Sequence, residues 1–322
     1  MSSAREIALD HSSNRRRIAG AAARAGLAMW RQVDPANLTT SWTRLMARMF
    51  VVLQGAQLAA ASTADAYAGE VLAAQEIETA PAGAVVPQAL AGIASDGRDL
   101  LSLLLNPVIS TKYAIGQGVE LDRALARGAA SLDMLVRTQV ADAGRVADGV
   151  AVTVRPRTGY VRMLVGPSCA RCVILAGRFY PYSSGFERHP LCDCTNIPSA
   201  EDVADDFTTD PMRAFHEGHV RGLSKADERA VRDGANLAQV VNARRGMRVA
   251  GSFVEQRADG TAVTHRGRVV SQPGRTTEGT TRFGLAGRRL GGQARLMPEQ
   301  IYRDAVSRDE AVQLLRAHGY IV

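Results

Sequence analysis

The 322-residue chain has few aromatic residues, 5% of the total, and almost no lysine: Lys112 and Lys225 are the only two beside 37 arginines. Long apolar runs are missing as well. No window holds 18 consecutive apolar residues, so no membrane-spanning helix is expected. The opening MSSAREIALDHSSNRRR lacks the apolar core of a secretory signal, and a cytoplasmic protein is expected. No G-x-x-x-x-G-K-S/T is present, which excludes P-loop nucleotide hydrolysis. Gly116-Gln117-Gly118 lacks the third glycine of a dinucleotide fingerprint, and no G-x-S-x-G elbow occurs. Phe215-His216-Glu217-Gly218-His219 reads H-E-x-H, one residue short of the zincin H-E-x-x-H, and is taken as a solvated helix face.

An apolar fraction of 46% and a charged fraction of 22% describe an ordinary globular protein, with length enough for about two domains. Residues 1–148 read as a helical N-terminal body. Ser12-Ser13-Asn14 is a candidate cap for a helix from Arg15 to Gln32. Trp42, Leu45, Met49, Val52, Leu53, Ala56, Ala59 and Ala60 follow the i, i+3, i+4, i+7 template. A helix over Leu90 to Leu105, stopped by Asn106-Pro107, should follow. After it comes one from about Glu120 to Ala147 with a stripe of Leu132, Leu135, Val136, Gln139, Val140 and Ala143. At Gly149 the period changes to two. Val150, Val152 and Val154 and then Tyr160, Arg162 and Leu164 read as a β-hairpin around the Pro156 to Gly159 turn. Short strands at Phe179-Tyr180 and Cys194 to Ile197 come next. Helices over Glu201 to Phe207, Pro211 to His219 and Lys225 to Arg244 then close a module spanning 149–246. Residues 247–296 read as a flexible Gly- and Arg-rich linker with short strands at Ser252 to Gln256 and Arg268 to Ser271. Residues 297–322 read as a C-terminal helical element: Pro298 opens one helix to Val306, and Ser307 caps a second from Asp309 to Ala317. The fold class expected is mainly α with a small metal-stapled β module, α+β overall.

The abundance of arginine and alanine matches a GC-rich genome, which weakens arginine richness as a sign of nucleic-acid binding. Position says more. From Arg244 to Arg295 there are 11 arginines against Glu255, Asp259 and Glu278, an excess of +8 in a chain whose net charge is +7. Ten glycines lie in the same stretch. Arg244, Arg245, Arg248, Arg266, Arg268, Arg288 and Arg289 are the candidates for contact with phosphate or an acidic partner, set against a solvated linker in an arginine-biased proteome.

All four cysteines fall within 26 residues, as Cys169-x2-Cys172, then His189-Pro190-Leu191-Cys192-Asp193-Cys194. Thiolates and imidazole are the ligands of tetrahedral zinc, and a C-x2-C turn lets two sulfurs face one ion. In an extended Cys192-x-Cys194 both side chains point to one side. Cys169, Cys172, Cys192, Cys194 and His189 give five candidates for four positions, so one is spare. The cysteines are favoured, and the expected zinc is structural. Buried thiols or two disulfides are the competing readings.

At these residues the chain resembles a known family. Gly159 to Pro198 is similar to the signature of the Mu F-like phage head morphogenesis, or minor capsid, proteins. The matches are Tyr160 to Val165, Cys169, Cys172, Leu175-Ala176-Gly177, Phe179-Tyr180-Pro181, His189-Pro190, Cys192, Cys194 and Pro198. Val136-Arg137-Thr138-Gln139 resembles a helical Arg-Thr-Glu element of the family. Asn236 to Gly246 resembles a stretch of such proteins in actinobacterial phages. Asp193 departs from the arginine usual there. The resemblance covers about a third of the chain. It implies a low-copy component inside the virion head, present in the host cytoplasm during assembly. Its partners would be the portal, scaffold or major capsid protein, with packaged DNA reached through the basic stretch and no membrane involved. A structural rather than enzymatic role follows. The alternative is a capsid maturation protease, for which serines are scattered and the histidines are His11, His189, His216, His219, His265 and His318.

Overall fold

The structure, a computed structural model, describes residues 2–182, 194–244, 254–256, 262–264, 269–271, 274–276, 278, 285–291 and 293–321. The chain is mainly helical with small sheets. It forms two compact units, one of Met1–Val165 and Arg178–Thr208, the other of Gly166–Gly177 and Thr209–Val322.

The first unit is built around its longest helix. Its helices are α1 (Ala4–Trp30), α2 (Leu38–Ala61), α3 (Ala64–Ala73), the single turn α4 (Leu100–Leu103), α5 (Asn106–Gly116) and α6 (Leu121–Thr153). At 1.5 Å per residue the 33 residues of α6 run about 50 Å, and α1, α2, α3 and α5 all pack on it. Leu132, Leu135, Val136, Gln139, Val140 and Ala143 are buried as their spacing requires. Trp42, Met46, Met49, Leu53 and Ala60 line the inner face of α2. The stretch Pro35–Ala73 is long and apolar enough to cross a membrane; here that face meets Trp30 and Met29 of α1 and the stripe of α6 in one apolar core. The two indoles each satisfy their N–H on a carbonyl, Trp30 on Leu125 at 3.2 Å and Trp42 on Leu104 at 2.7 Å.

Several boundaries differ from expectation. α1 begins at Ala4, because Ser3 and Glu6 form a reciprocal capping box, and Ser12 is a buried residue within the helix. Asn106-Pro107 opens α5 instead of ending a helix, since proline fits the first turn. Leu90 to Leu105 is helical only over Leu100–Leu103, behind the Asp99 cap. The first arm of the expected hairpin is not a strand: Val150 and Val152 belong to α6, which crosses the expected boundary at residue 149. The sheet of this unit is instead three-stranded and antiparallel. β1 (Gly159–Met163) lies between β3 (Phe179–Pro181) and β4 (Thr195–Ser199), with Tyr160 opposite Tyr180 and Pro198. Gly159 is required there, because a Cβ would stand 2.4 Å from the Tyr180 carbonyl oxygen.

In the second unit, β2 (Ser168–Cys169) pairs in parallel with β5 (Val220–Arg221). The helices α7 (Ala170–Leu175), α8 (Pro211–His216), α9 (Lys225–Arg232) and α10 (Leu237–Ala243) gather around them. The single helix expected over Lys225 to Arg244 is broken at Gly234, whose φ is +101°. Gly218, at φ +75°, ends α8 before His219 in the same way. Within the stretch expected to be a flexible linker, β6 (Val254–Gln256), β7 (Ala262–Thr264) and β8 (Val269–Ser271) form one sheet. β9 (Arg275–Thr276) pairs with β10 (Arg295–Leu296), and α11 (Leu285–Leu290) lies between them in sequence. The terminal helices α12 (Pro298–Asp304) and α13 (Arg308–Ala317) belong to the same unit: α12 packs on α9, and Tyr320 accepts from the Asn236 N–H at 2.7 Å.

Gly128 of α6 tests this packing. A Cβ there would lie 2.2 Å from Thr111 Oγ1, 2.5 Å from Trp30 Cζ2 and 3.0 Å from the Pro107 carbonyl oxygen. Gly128→Ala is expected to lower stability by about 1–3 kcal/mol through overpacking. Gly55→Ala, on an open face of α2, should raise it by about 0.5–1 kcal/mol. Denaturant melts of both variants check the contrast.

Candidate functional site

The C-x2-C pair is set by a strand-to-helix turn. Ser168 is pinned by its N–H to the His219 carbonyl at 2.9 Å. Cys169 then takes extended dihedrals as the N-cap of α7, its sulfur accepting from the Cys172 N–H at 3.4 Å. One helical turn brings the Cys172 sulfur to 3.2 Å from it, as thiols rather than as a disulfide. Cys172 is fully buried and Cys169 half-buried. Arg171, between them, donates to Asn242 Oδ1 of α10 at 2.7 Å and fixes the turn from outside. The structure thus brings together the two cysteines that the spacing pairs. Cys194 lies in the first unit, buried, with its carbonyl accepting from Arg145 Nε at 3.3 Å. His189 and Cys192 lie outside the described residues. Among the described residues no group of three or more His, Cys, Asp or Glu side chains is placed to hold a metal ion.

The basic candidates divide. Arg245, Arg248, Arg266 and Arg268 lie outside the described residues. Arg288 is exposed. Arg244 and Arg289 bond to acceptors of their own chain. The Arg244 guanidinium pairs with the buried Asp227 carboxylate and with Glu299 of α12, and donates to Ser224 Oγ at 2.9 Å. Burial alone would raise the Glu299 carboxyl, but the hydrogen bond from Arg244 outweighs it and holds the group below its ordinary range. Arg289 donates to the carbonyls of Arg316 and Ile321 at 2.7 and 2.8 Å, covering the open end of α13. Arg295 is fully buried, stacked 4.6 Å over the Tyr320 ring, and donates to the Gln239 carbonyl at 3.1 Å. These three hold the second unit together.

The first unit holds a polar cluster that the sequence did not reveal. Asp148 of α6 is fully buried. Its oxygens meet His11 Nε2 at 3.1 Å and Arg15 Nη2 at 2.6 Å. His11 and Arg15 are four apart on α1, and Arg15 also reaches His11 Nε2. The His11 ring stacks on Tyr67 of α3 with centroids 3.8 Å apart, and the Tyr67 hydroxyl donates to the Asn196 carbonyl of β4 at 2.6 Å. Burial alone would raise the Asp148 carboxyl; Arg15 and His11 outweigh it and hold the group below the ordinary carboxylate range. Burial pushes the Tyr67 phenol well up. The i, i+4 pairing of His11 and Arg15 was visible in the sequence, but nothing there marked their face as buried. His219, the other described histidine beside a carboxylate, meets Glu217 at 3.3 Å on the surface, and with α8 ended at His216 the H-E-x-H residues do not share a helix face.

Comparison with protein-family models, with curated proteins and with solved structures returns no match.

Two outcomes follow from this geometry. Asp148→Asn leaves Arg15 buried without its carboxylate and should cost about 3–5 kcal/mol at pH 7. A depressed carboxyl contributes stability above its unfolded value near pH 4 and loses it as pH falls through the folded value. Urea melts should therefore show the gap between wild type and variant closing below about pH 4. In the second unit, Arg244→Gln should lower stability by about 1–3 kcal/mol. Arg288→Gln should leave it within about 0.5 kcal/mol, as read by thermal melting.

Proposed function

We propose that this chain is a Mu F-like head morphogenesis protein, a minor capsid component carried at low copy inside a phage head and associated with the portal or procapsid. The observation that carries the reading is the Cys169–Cys172 turn, with both sulfurs on one side at the start of α7. This is the geometry of a zinc knuckle, placed where the motif resembling that family lies. The mainly helical first unit, with its small sheet from the Tyr160 to Pro198 part of the motif, supports the same reading.

In this proposal Cys169 and Cys172 are two of four ligands to a structural zinc. The others come from Cys192, Cys194 and His189, with the cysteines favoured. Zinc there supplies folding free energy, on the order of 10 kcal/mol in small zinc modules. The chain's own residues set its position: Ser168 pins the turn and Arg171 anchors it to α10. The capsid role needs no nucleophile or general base. Basic residues of the 244–295 stretch with no protein acceptor would meet DNA or an acidic portal surface, Arg288 among them.

Elemental analysis of protein purified without chelator should find about one zinc per chain, absent from Cys169→Ser and Cys172→Ser. Co-expression with the portal, scaffold and major capsid proteins of the same phage should place the chain in assembled heads at low copy, read by mass spectrometry of purified particles. A metal-free wild-type protein would overturn the zinc assignment. Exclusion from purified heads, or cleavage of the scaffold by the purified chain, would overturn the capsid role.

A further inference from the structure

The first unit contains a pocket of about 190 Å³ between α1, α6 and the start of β4. Its walls follow from helix periodicity. Arg137, Ala141 and Arg145 are four apart on α6 and therefore lie one above another along one face. Ser12, Arg15, Arg16 and Ala19 present the facing side of α1. Ala19 and Ala141 keep the middle open. Four guanidinium groups thus line one small space, joined by the Ser12 and Thr138 hydroxyls, and among the described residues no carboxylate lines it.

The acids that accompany these arginines lie outside the lining. Asp148 takes Arg15, Asp142 takes Arg145 at 3.1 Å, and Asp133 takes Arg137 Nε at 2.9 Å. These contacts orient the guanidiniums and leave donors over. Both Asp133 oxygens accept from Nε of Arg137, so its two terminal nitrogens have no hydrogen-bond acceptor among the described residues. Arg16 has no ion pair among the described residues. Arg15 and Arg145 are each about nine-tenths buried, so the positive field sits partly out of water, where it is screened least.

We infer that this pocket binds a phosphate group. A carboxylate is satisfied by one guanidinium fork. Four forks and two hydroxyls around one space suit an anion with more oxygens and up to two charges, and planar guanidinium donors pair with phosphate oxygens bidentately. The size agrees. At roughly 30 Å³ per water the pocket has room for about six waters, below the 300 Å³ or more of whole-cofactor sites. It takes the phosphate itself, free or as part of a larger molecule that stays outside. The inference does not rest on the capsid assignment or on zinc.

The test uses the full chain at low ionic strength with chloride-matched controls. Inorganic phosphate and a short DNA duplex are titrated by calorimetry and by thermal shift. They are applied to wild type, to Arg16→Gln/Arg137→Gln, and to Arg44→Gln/Arg48→Gln. The last pair removes the same charge from the exposed face of α2. Phosphate should bind wild type and the α2 variant alike and the pocket variant at least tenfold more weakly. If only the duplex binds, with the same tenfold difference between the two variants, the pocket takes a backbone phosphate of nucleic acid. Absence of binding to wild type, or equal weakening in both variants, would overturn the inference. The Arg15–Asp148 pair is untouched in every variant, and matching melting temperatures without ligand confirm folding.

Discussion

The first unit turns on the burial of one carboxylate. Asp148 is removed from water in the middle of a protein with an excess of basic residues, at a desolvation cost of several kcal/mol. That cost is offset only because Arg15 and His11 reach it from α1. To do so, α1 must approach α6 closely, and Gly144 permits it: a Cβ there would lie 2.5 Å from Arg15 Nε. Tyr67 extends the connection, since its ring stacks on His11 and its hydroxyl reaches the Asn196 carbonyl of β4. Three helices and the sheet thus meet through four polar side chains. Around them the contacts are small and apolar, Ala4 and Ala8 on one side and Ala61, Ala64 and Ala147 on another. Alanines supply little burial each, so the polar cluster fixes how they pack.

Arginine plays the corresponding part in the second unit. Arg244 joins Asp227 of α9 to Glu299 of α12, Arg289 covers the end of α13, and Arg295 fills the space between α10 and Tyr320. Each contact uses the flat, multiply donating guanidinium to serve two acceptors or to stack on a ring, which a lysine cannot do. Arg295 shows the cost: its Nε is buried without a partner, and burial lowers its basicity. In a chain with only two lysines, arginine does internal structural work as well as carrying charge.

What the sequence revealed tracks how local each signal is. The stripe of α6, the caps Ser224 and Ser307, the strands around Phe179 and Ile197, and the Cys169–Cys172 turn all depend on neighbours within a few residues. Misreadings arose where a local signal had two meanings. Alternating Val150, Val152 and Val154 fits a strand, yet two valines two apart also fit a helix that keeps its hydrogen bonds to Thr153. Proline at 107 can stop a helix or start one, and burial of Val108 and Ala114 against α6 selects the start. Asp148, His11 and Arg15 were illegible for a different reason: they are 133 or more residues apart except for one pair, and no periodicity links them.

The basic character of the chain shows why composition alone is ambiguous. An excess of +8 over 52 residues reads equally as codon bias and as affinity for anions. Sorting the arginines by acceptor separates the two. Arg244, Arg289 and Arg295 lie in the most basic stretch and are bonded within the second unit, so its formal charge overstates what it offers a partner. Arg16 and Arg137 lie in a region of unremarkable composition and converge with Arg15 and Arg145 on a space that no acid lines among the described residues. Anion recognition requires several donors aimed at one volume, with their compensating carboxylates held behind them. That arrangement depends on the four-residue spacing along α6 and the small side chains opposite, neither of which a charge count detects.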